Sequence, residues 1–521
     1  VRQPSARWHP LPAAILAALV GWALLPVAYL VHRSVRDGLT LTGAESVFGS
    51  DQLQYLAWAR SLGAHGLAAN GFDLTVGDHV FFHPMFALSG LAWRAGVALP
   101  ATLLLWAPVA AVVLFAGFRA YVARTVQGGG AQAAALWLAL FFQSPAYTLL
   151  GWPGWPGGHD VTVFAGELAP TGALWGYLPA VIAMGLMPVF LLAVERLLDE
   201  RPGARSRAWY AAVAATSGML ASWLHPWQGE TLLLIVAMVV VWSRGWRRIP
   251  RIALPLGATA APLLYYALLA RVDTAWDVAR LQTHVERPTL LALAAVLTPF
   301  AVGLAARRRG WDVRERILYV WPVAALGVYL LPLEHGYFLH ALEGMSLPLA
   351  VLAVRGWHRL GWPAWAGVAA LAACSLPGLV YTAHRERQAI LAPGQAFLVT
   401  GGEAEAMRWL ESAPGAGGVL ASPRLAAMVP GATGRRVWMG HPTWTPDFGE
   451  RSARVAELFD GRMTAARARR LVRRTEAGFA FADCSARRDL RPLLGPLVAA
   501  QRTFGCATLY VLRVRARPAR L

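Results

Sequence analysis

Residues 12–33 read PAAILAALVGWALLPVAYLVHR and, after a short polar stretch, residues 49–60 read GSDQLQYLAWAR. The first run is closed by His32 and Arg33 and is apolar over about 20 residues, enough for a helix to cross roughly 30 Å of hydrocarbon. It is long, lacks a small-residue cleavage site and leads into more apolar sequence, so it reads as a retained span and not a signal peptide. The second run starts with Ser50, a residue type that caps helices, so a helix is expected from Asp51. On that helix Asp51, Tyr55 and Trp58 share one face. A membrane helix followed by a loop helix with a carboxylate at its start is the unit from which the rest of the reading extends.

Apolar runs of similar length recur at about 98–120, 131–150, 174–194, 208–225, 228–243, 252–270, 289–306, 317–333, 337–354 and 363–382. With the first, that predicts eleven transmembrane helices. Composition agrees: 56% of the 521 residues are hydrophobic, 15% are charged, and there are 23 tryptophans. Mean hydropathy is +0.44. A soluble domain carries nearer a quarter charged residues, and disorder needs far less apolar content. The expected fold class is therefore a polytopic α-helical membrane protein.

Arginine placement orients it. All 48 basic residues are arginine, which we read as genomic base-composition bias. With the N-terminus in the cytoplasm, the inner segments carry 19 Arg and five acids; the outer loops carry seven Arg and thirteen acids. That asymmetry follows the positive-inside rule and leaves the C-terminus outside. The formal net charge of +19 thus implies no nucleic acid. A transmembrane domain over 1–383, with a first outer loop at about 33–97, would precede an extracytoplasmic domain over 384–521. In that domain 403–411, 450–459 and 464–474 have helical periodicity. Residues 418–421, 436–439, 479–481 and 507–512 read as strands, so a small α/β domain is expected. Three cysteines are too few for a disulfide framework; Cys484 and Cys506 are able to pair in an oxidising compartment, but their spacing does not decide it.

The spans hold almost no ionisable residues at mid-membrane, where ion-coupled transporters place theirs. Acids and histidines gather at the outer ends, which favours a site at the outer face. Asp51 is the candidate general base for an acceptor hydroxyl; the plain alternative is a charge favouring a helix N-terminus. In the second outer loop, Asp160 and Glu167 follow a Trp- and Gly-rich stretch suited to stacking on sugars, or equally to an interfacial aromatic belt. At the tight turn 224–231, Pro226 and Gly229 suffice for turning, so His225, Gln228 and Glu230 are assigned to the site. Arg271, Arg280 and Arg287 are the cations available for a phosphate, although neighbouring acids make a self-paired loop the simpler reading. Asp78, His79 and His83 would offer a divalent metal an H-x-x-x-H face if helical; substrate contact by His83, just before Pro84, is the favoured role. Residues 81–93 suggest a re-entrant or interfacial helix. Glu334, His335, His340 and Glu343 cluster near the same face without an order among them, and H441-P-T-W-T445 either faces the site or closes a domain loop.

This arrangement, a cytoplasmic N-terminus, a long first outer loop with an acid soon after the first span, and a C-terminal outer domain, resembles the GT-C glycosyltransferases. The tail segments 418–424 and 430–445 resemble those of bacterial membrane proteins grouped with such enzymes. The resemblance implies an inner-membrane enzyme of the cell envelope that moves a sugar from a polyprenyl-phosphate carrier to a glycan, lipid or protein acceptor. It also implies an inverting displacement with Asp51 as catalytic base. Gln52, Tyr55, His83, Asp160, Glu167, His225, Gln228, Glu230 and Arg271 would then contact substrate. Asp51 is followed by Gln52 where many relatives have paired acids. No cofactor is required by a phosphate leaving group, while a divalent metal is compatible with the site. The alternative function is a lipid or polysaccharide exporter with a C-terminal docking domain.

Overall fold

The computed structural model describes all residues except 1–9, 47, 76, 153–157, 199–202, 284–288, 307–309, 332–335, 393, 416, 487 and 514–521. Arg287, Glu334 and His335 lie outside the described residues. The chain is mostly helical. Among the described residues, six helices are long and apolar enough to cross a membrane: Leu11–Asp37, Leu99–Thr125, Leu178–Leu198, Trp246–Val272, Phe338–Leu360 and Ala364–Leu391. Shorter apolar helices cover Gly129–Phe141, Pro226–Trp242 and Leu290–Ala305. Helices Ala204–Leu224 and Val313–Tyr329 lie on the two remaining apolar runs. Prolines and short breaks punctuate these elements. Pro299 lies where the helix that begins at Leu290 tightens to 3-10 geometry over Thr298–Ala305.

Contacts divide the chain into two compact units. One comprises Val1–Leu25, Trp106–Ala267 and His284–Glu386. Its interior is aromatic and aliphatic, with Trp175, Trp321, Tyr121, Phe118 and Phe190 fully buried. Helices Trp106–Thr125 and Leu178–Leu198 meet at Gly117 and Gly185, where a Cβ on Gly117 would lie 1.9 Å from the Gly185 carbonyl oxygen. Small residues are what allow membrane helices this approach, since packing, not water exclusion, holds them together. Arginines read as orientation signals also form ion pairs, among them Arg314 with Asp312 at 3.1 Å. Arg355 donates to both oxygens of fully buried Glu315 at 2.9 and 3.0 Å and to the Thr125 carbonyl at 2.7 Å. Arg124 pairs with Glu195 at 2.8 Å.

The other unit comprises Pro26–Leu105, Leu268–Thr283 and Arg387–Leu521. Two short strands, β1 (Thr40–Leu41) and β2 (Leu398–Val399), pair antiparallel and tie the first loop to the C-terminal segment. Strands β3 (Val419–Ala421), β4 (Phe479–Ala482), β5 (Val498–Phe504) and β6 (Ala507–Leu512) form a sheet of order β3-β4-β6-β5. β3 and β4 are parallel and the other neighbours antiparallel. Helix Gly401–Ser412 opens with a capping box in which Thr400 and Glu403 satisfy each other's backbone amides. Helices Phe448–Phe459 and Ala465–Thr475 fall where the periodicity places them. Residues 436–439 do not form a strand: a single parallel bridge joins Val437 to Val419, and the Val437 amide donates to Gly71 at 2.9 Å. The segment's other backbone bonds, Val419 amide to the Arg436 carbonyl and Trp438 amide to the Val419 carbonyl, stop at that one bridge. A disulfide joins Cys484 to Cys506.

Candidate functional site

Helix Gly49–His65 carries the first cluster of candidate residues. Its N-cap is Phe48 without a side-chain bond, so Ser50 lies inside the first turn and does not cap it. Asp51 is the first-turn acid, where the helix dipole favours negative charge. Its Oδ1 lies 3.0 Å from Nε2 of His441. The His441 ring is 3% exposed and its Nδ1 accepts the Thr443 amide at 3.1 Å. An Nδ1 that accepts cannot carry the proton of a neutral imidazole, so Nε2 carries it and donates to Asp51. The loop that holds His441 is fixed by buried Thr445, whose hydroxyl donates to the Phe72 carbonyl and accepts the Gly440 and His441 amides. Oδ2 of Asp51 makes no hydrogen bond to the described residues, and the side chain is 26% exposed.

The expected common face of Asp51, Tyr55 and Trp58 continues into an aromatic wall. Tyr55 stacks on Phe86 at 4.8 Å, and Trp58 meets Phe81 at 4.5 Å and Trp444 at 5.2 Å. Trp276 packs against Phe81 and Trp444, both at 5.0 Å. His83 is buried, stacks on Phe86 at 4.1 Å, and precedes helix Pro84–Arg94, which starts three residues inside the apolar stretch 81–93. Gln52 acts on the backbone: its Oε1 accepts the Glu45 and Ser46 amides at 2.8 and 3.3 Å, holding the preceding turn.

Residues 78–83 are not helical, so the H-x-x-x-H spacing does not present one face. His79 pairs with the His65 ring at 4.3 Å; burial, then the charges of His65 and Arg436, hold its imidazole below the usual histidine range. Asp78 is exposed. Arg271 is exposed in the last turn of helix Ile249–Val272 and makes no ion pair with a described residue. Arg280 does pair, with Asp277 at 2.7 Å, as a self-paired loop requires. Asp273 caps helix Thr274–Gln282 through the Ala275 and Trp276 amides.

A second cluster belongs to the other unit. His225 alone joins helices Ala204–Leu224 and Pro226–Trp242, with extended backbone and Pro226 at the helix start. Gly229 serves packing and not turning, since a Cβ there would lie 2.3 Å from the Ser222 hydroxyl. Nδ1 of His225 donates to Oε1 of Gln228. Gln228, fully buried, donates to the His340 carbonyl at 3.0 Å and to Glu343 Oε2 at 3.1 Å. Nδ1 of His340 lies 2.9 Å from Glu167 Oε2 and 3.0 Å from Glu343 Oε1. Glu230 is half-buried on the same helix as Gln228 and makes no ion pair with a described residue. Asp160 is separate: Oδ2 accepts the Thr289 amide at 2.8 Å.

His441 and the pair His340/Glu343 are the members that sequence reasoning did not rank. The H-P-T-W-T motif and the density of His and Glu at 334–343 were the signals. Neither reveals its partner, because Asp51 and His441 are 390 residues apart.

No family model and no curated protein matches the sequence. Solved structures do match in fold. The oligosaccharyltransferase of Archaeoglobus fulgidus in its apo form aligns with TM-score 0.50 and 14% identity, over 99% of this chain and 76% of that one. The same enzyme in complex with Zn and sulfate gives TM-score 0.51 and 14% identity over 96% and 73%. ArnT from Cupriavidus metallidurans bound to undecaprenyl phosphate aligns with TM-score 0.51 and 11% identity, over 97% of this chain and 98% of that one. The resemblance to GT-C enzymes is therefore met at the level of fold, over nearly the whole chain.

Proposed function

We propose that this protein transfers a sugar from a polyprenyl-phosphate donor to an acceptor hydroxyl at the outer face of the cytoplasmic membrane. The observation that carries the proposal is the Asp51–His441 pair beside an aromatic wall. In this reading Oδ2 of Asp51 takes the proton of the acceptor hydroxyl. The acceptor oxygen bonds to the anomeric carbon, the bond from that carbon to the phosphate oxygen breaks, and polyprenyl phosphate leaves. His441 does not touch the reacting atoms; it holds the carboxylate by its other oxygen.

Tyr55 and the tryptophans supply apolar faces of the kind that stack on sugar rings. Arg271, exposed and without a described acidic partner, is the cation assigned to the phosphate, because a guanidinium binds phosphate bidentately. Asp160, Glu167, His225, Gln228 and Glu230, read from the sequence as substrate contacts, belong to the other unit, and no step above uses them. Eleven spans, a cytoplasmic N-terminus and an extracytoplasmic domain from 384 complete the proposal. Solved structures of the same fold support it, among them an oligosaccharyltransferase and a protein with bound undecaprenyl phosphate.

The test supplies purified protein in lipid with a panel of polyprenyl-phosphate sugars and compares it with Asp51→Asn. Removing a positioned general base costs about 10²–10⁴-fold in rate. A drop of that size with the protein still folded is the expected outcome. Equal turnover by both would remove Asp51 from the base role.

A further inference from the structure

We propose that Glu167, His225, His340 and Glu343 form a binding site for one divalent transition-metal ion of the zinc type. One ligand atom from each of His225, His340 and Glu343 lies within 4.8 Å of the others. Metal–ligand bonds of about 2.0–2.2 Å set neighbouring ligand atoms about 3.0–3.5 Å apart. The contacts of His340 Nδ1 with Glu167 Oε2 and Glu343 Oε1, at 2.9 and 3.0 Å, are close to that spacing, and His225, whose Nδ1 lies 3.7 Å from Glu343 Oε2, would offer its other ring nitrogen. Bringing the widest pair to it takes a side-chain rotation.

Charge supplies the second reason. All four side chains are 12% exposed or less. The ion pairs that Glu167 and Glu343 make among the described residues are with histidines. One imidazolium leaves a net negative charge in a site shielded from water. Two imidazolium rings would stand with centroids 4.9 Å apart and repel. A divalent cation with two neutral imidazoles and two carboxylates sums to zero, the state that burial favours. His340 Nδ1 has a single proton to offer, and it faces two carboxylates; a metal ion takes both oxygens and the nitrogen lone pair at once.

Gln228 is the third reason. By accepting the Nδ1 proton of His225 it leaves Nε2 with the lone pair, and by donating to Glu343 Oε2 it orients that carboxylate. Partners that fix a ligand's tautomer and direction in this way are usual around metal-binding histidines. Two nitrogens and two oxygens suit zinc better than magnesium or calcium, which prefer oxygen alone. The bound ion would pin together helix Gly158–Leu168, the 224–226 corner and the 338–343 segment.

The assignment does not depend on the sugar-transfer reading, and its test reads no turnover. Full-length protein in detergent is stripped with a chelator, desalted and titrated with Zn²⁺ alone. Bound metal is measured by mass spectrometry and thermal unfolding by tryptophan fluorescence. One equivalent per chain and a raised Tm are expected. His340→Ala and Glu343→Gln should abolish stoichiometric binding, and Gln228→Ala should weaken it about 10–100-fold. Should a variant aggregate, His225→Gln and the wild-type titration still decide. A monodisperse wild-type chain that takes up no stoichiometric Zn²⁺, or variants that bind it as wild type does, would overturn the assignment.

Discussion

The two oxygens of the Asp51 carboxylate play different parts. Oδ1 receives the Nε2 proton of His441, which orients the group; in the proposed transfer Oδ2 is the oxygen left for a substrate proton. His441→Ala removes that anchor without touching the base itself. Misplacing a catalytic group by about 1 Å costs on the order of 100-fold, so kcat in the proposed transfer should fall by up to that factor while the donor KM changes little. His441→Gln keeps a nitrogen donor on a side chain of similar reach and should recover part of the loss. Steady-state rates on the three proteins check this; a pure folding defect would instead lower active fraction equally in both variants. The sequence showed a carboxylate at the start of a loop helix at Asp51, and the helix does begin there; its role as base belongs to the proposal. The partner of Asp51 was not legible: the motif holding His441 offered two uses, and the bond between the two side chains spans 390 residues.

Helices were readable from apolar length, since a backbone in hydrocarbon must satisfy its own hydrogen bonds and has few other options. Strands were less so. Residues 436–439 have a strand pattern but make only a single bridge to β3, with the Val437 amide turned to Gly71, while β5, whose pattern is largely exposed, gave little apolar alternation to detect. Packing between helices was also hidden, as at Gly117 and Gly185, where the close approach is a property of two elements together. Gly185→Val places its Cβ 2.7 Å from the Val113 carbonyl, a backbone group that cannot rotate aside. Overpacking costs about 1–3 kcal/mol. A lower thermal midpoint in detergent is expected, with Gly166→Val, which meets open space on a shorter helix, as the comparison.

At the scale of the whole molecule, the disulfide links redox chemistry to topology. Such bonds persist where the compartment is oxidising, and the proposed topology has the region holding Cys484 and Cys506 outside the cytoplasm. Alkylation of envelope-purified protein under denaturing, non-reducing conditions should therefore add one label, on Cys374, and three after reduction. Three labels without reductant would contradict an extracytoplasmic tail. The sequence by itself determined the solvent: apolar run lengths and arginine placement answer to the bilayer, which acts on each segment locally. It also marked Asp51, His225, Gln228 and Glu167 as side chains in need of a polar reason. Only the tertiary structure decided their partners, Asp51 with His441 and His225 with Gln228 beside Glu343 and His340. Hydrogen bonds and charge pairs act over about 3 Å in space, and sequence distance carries no record of which residues the fold brings that close.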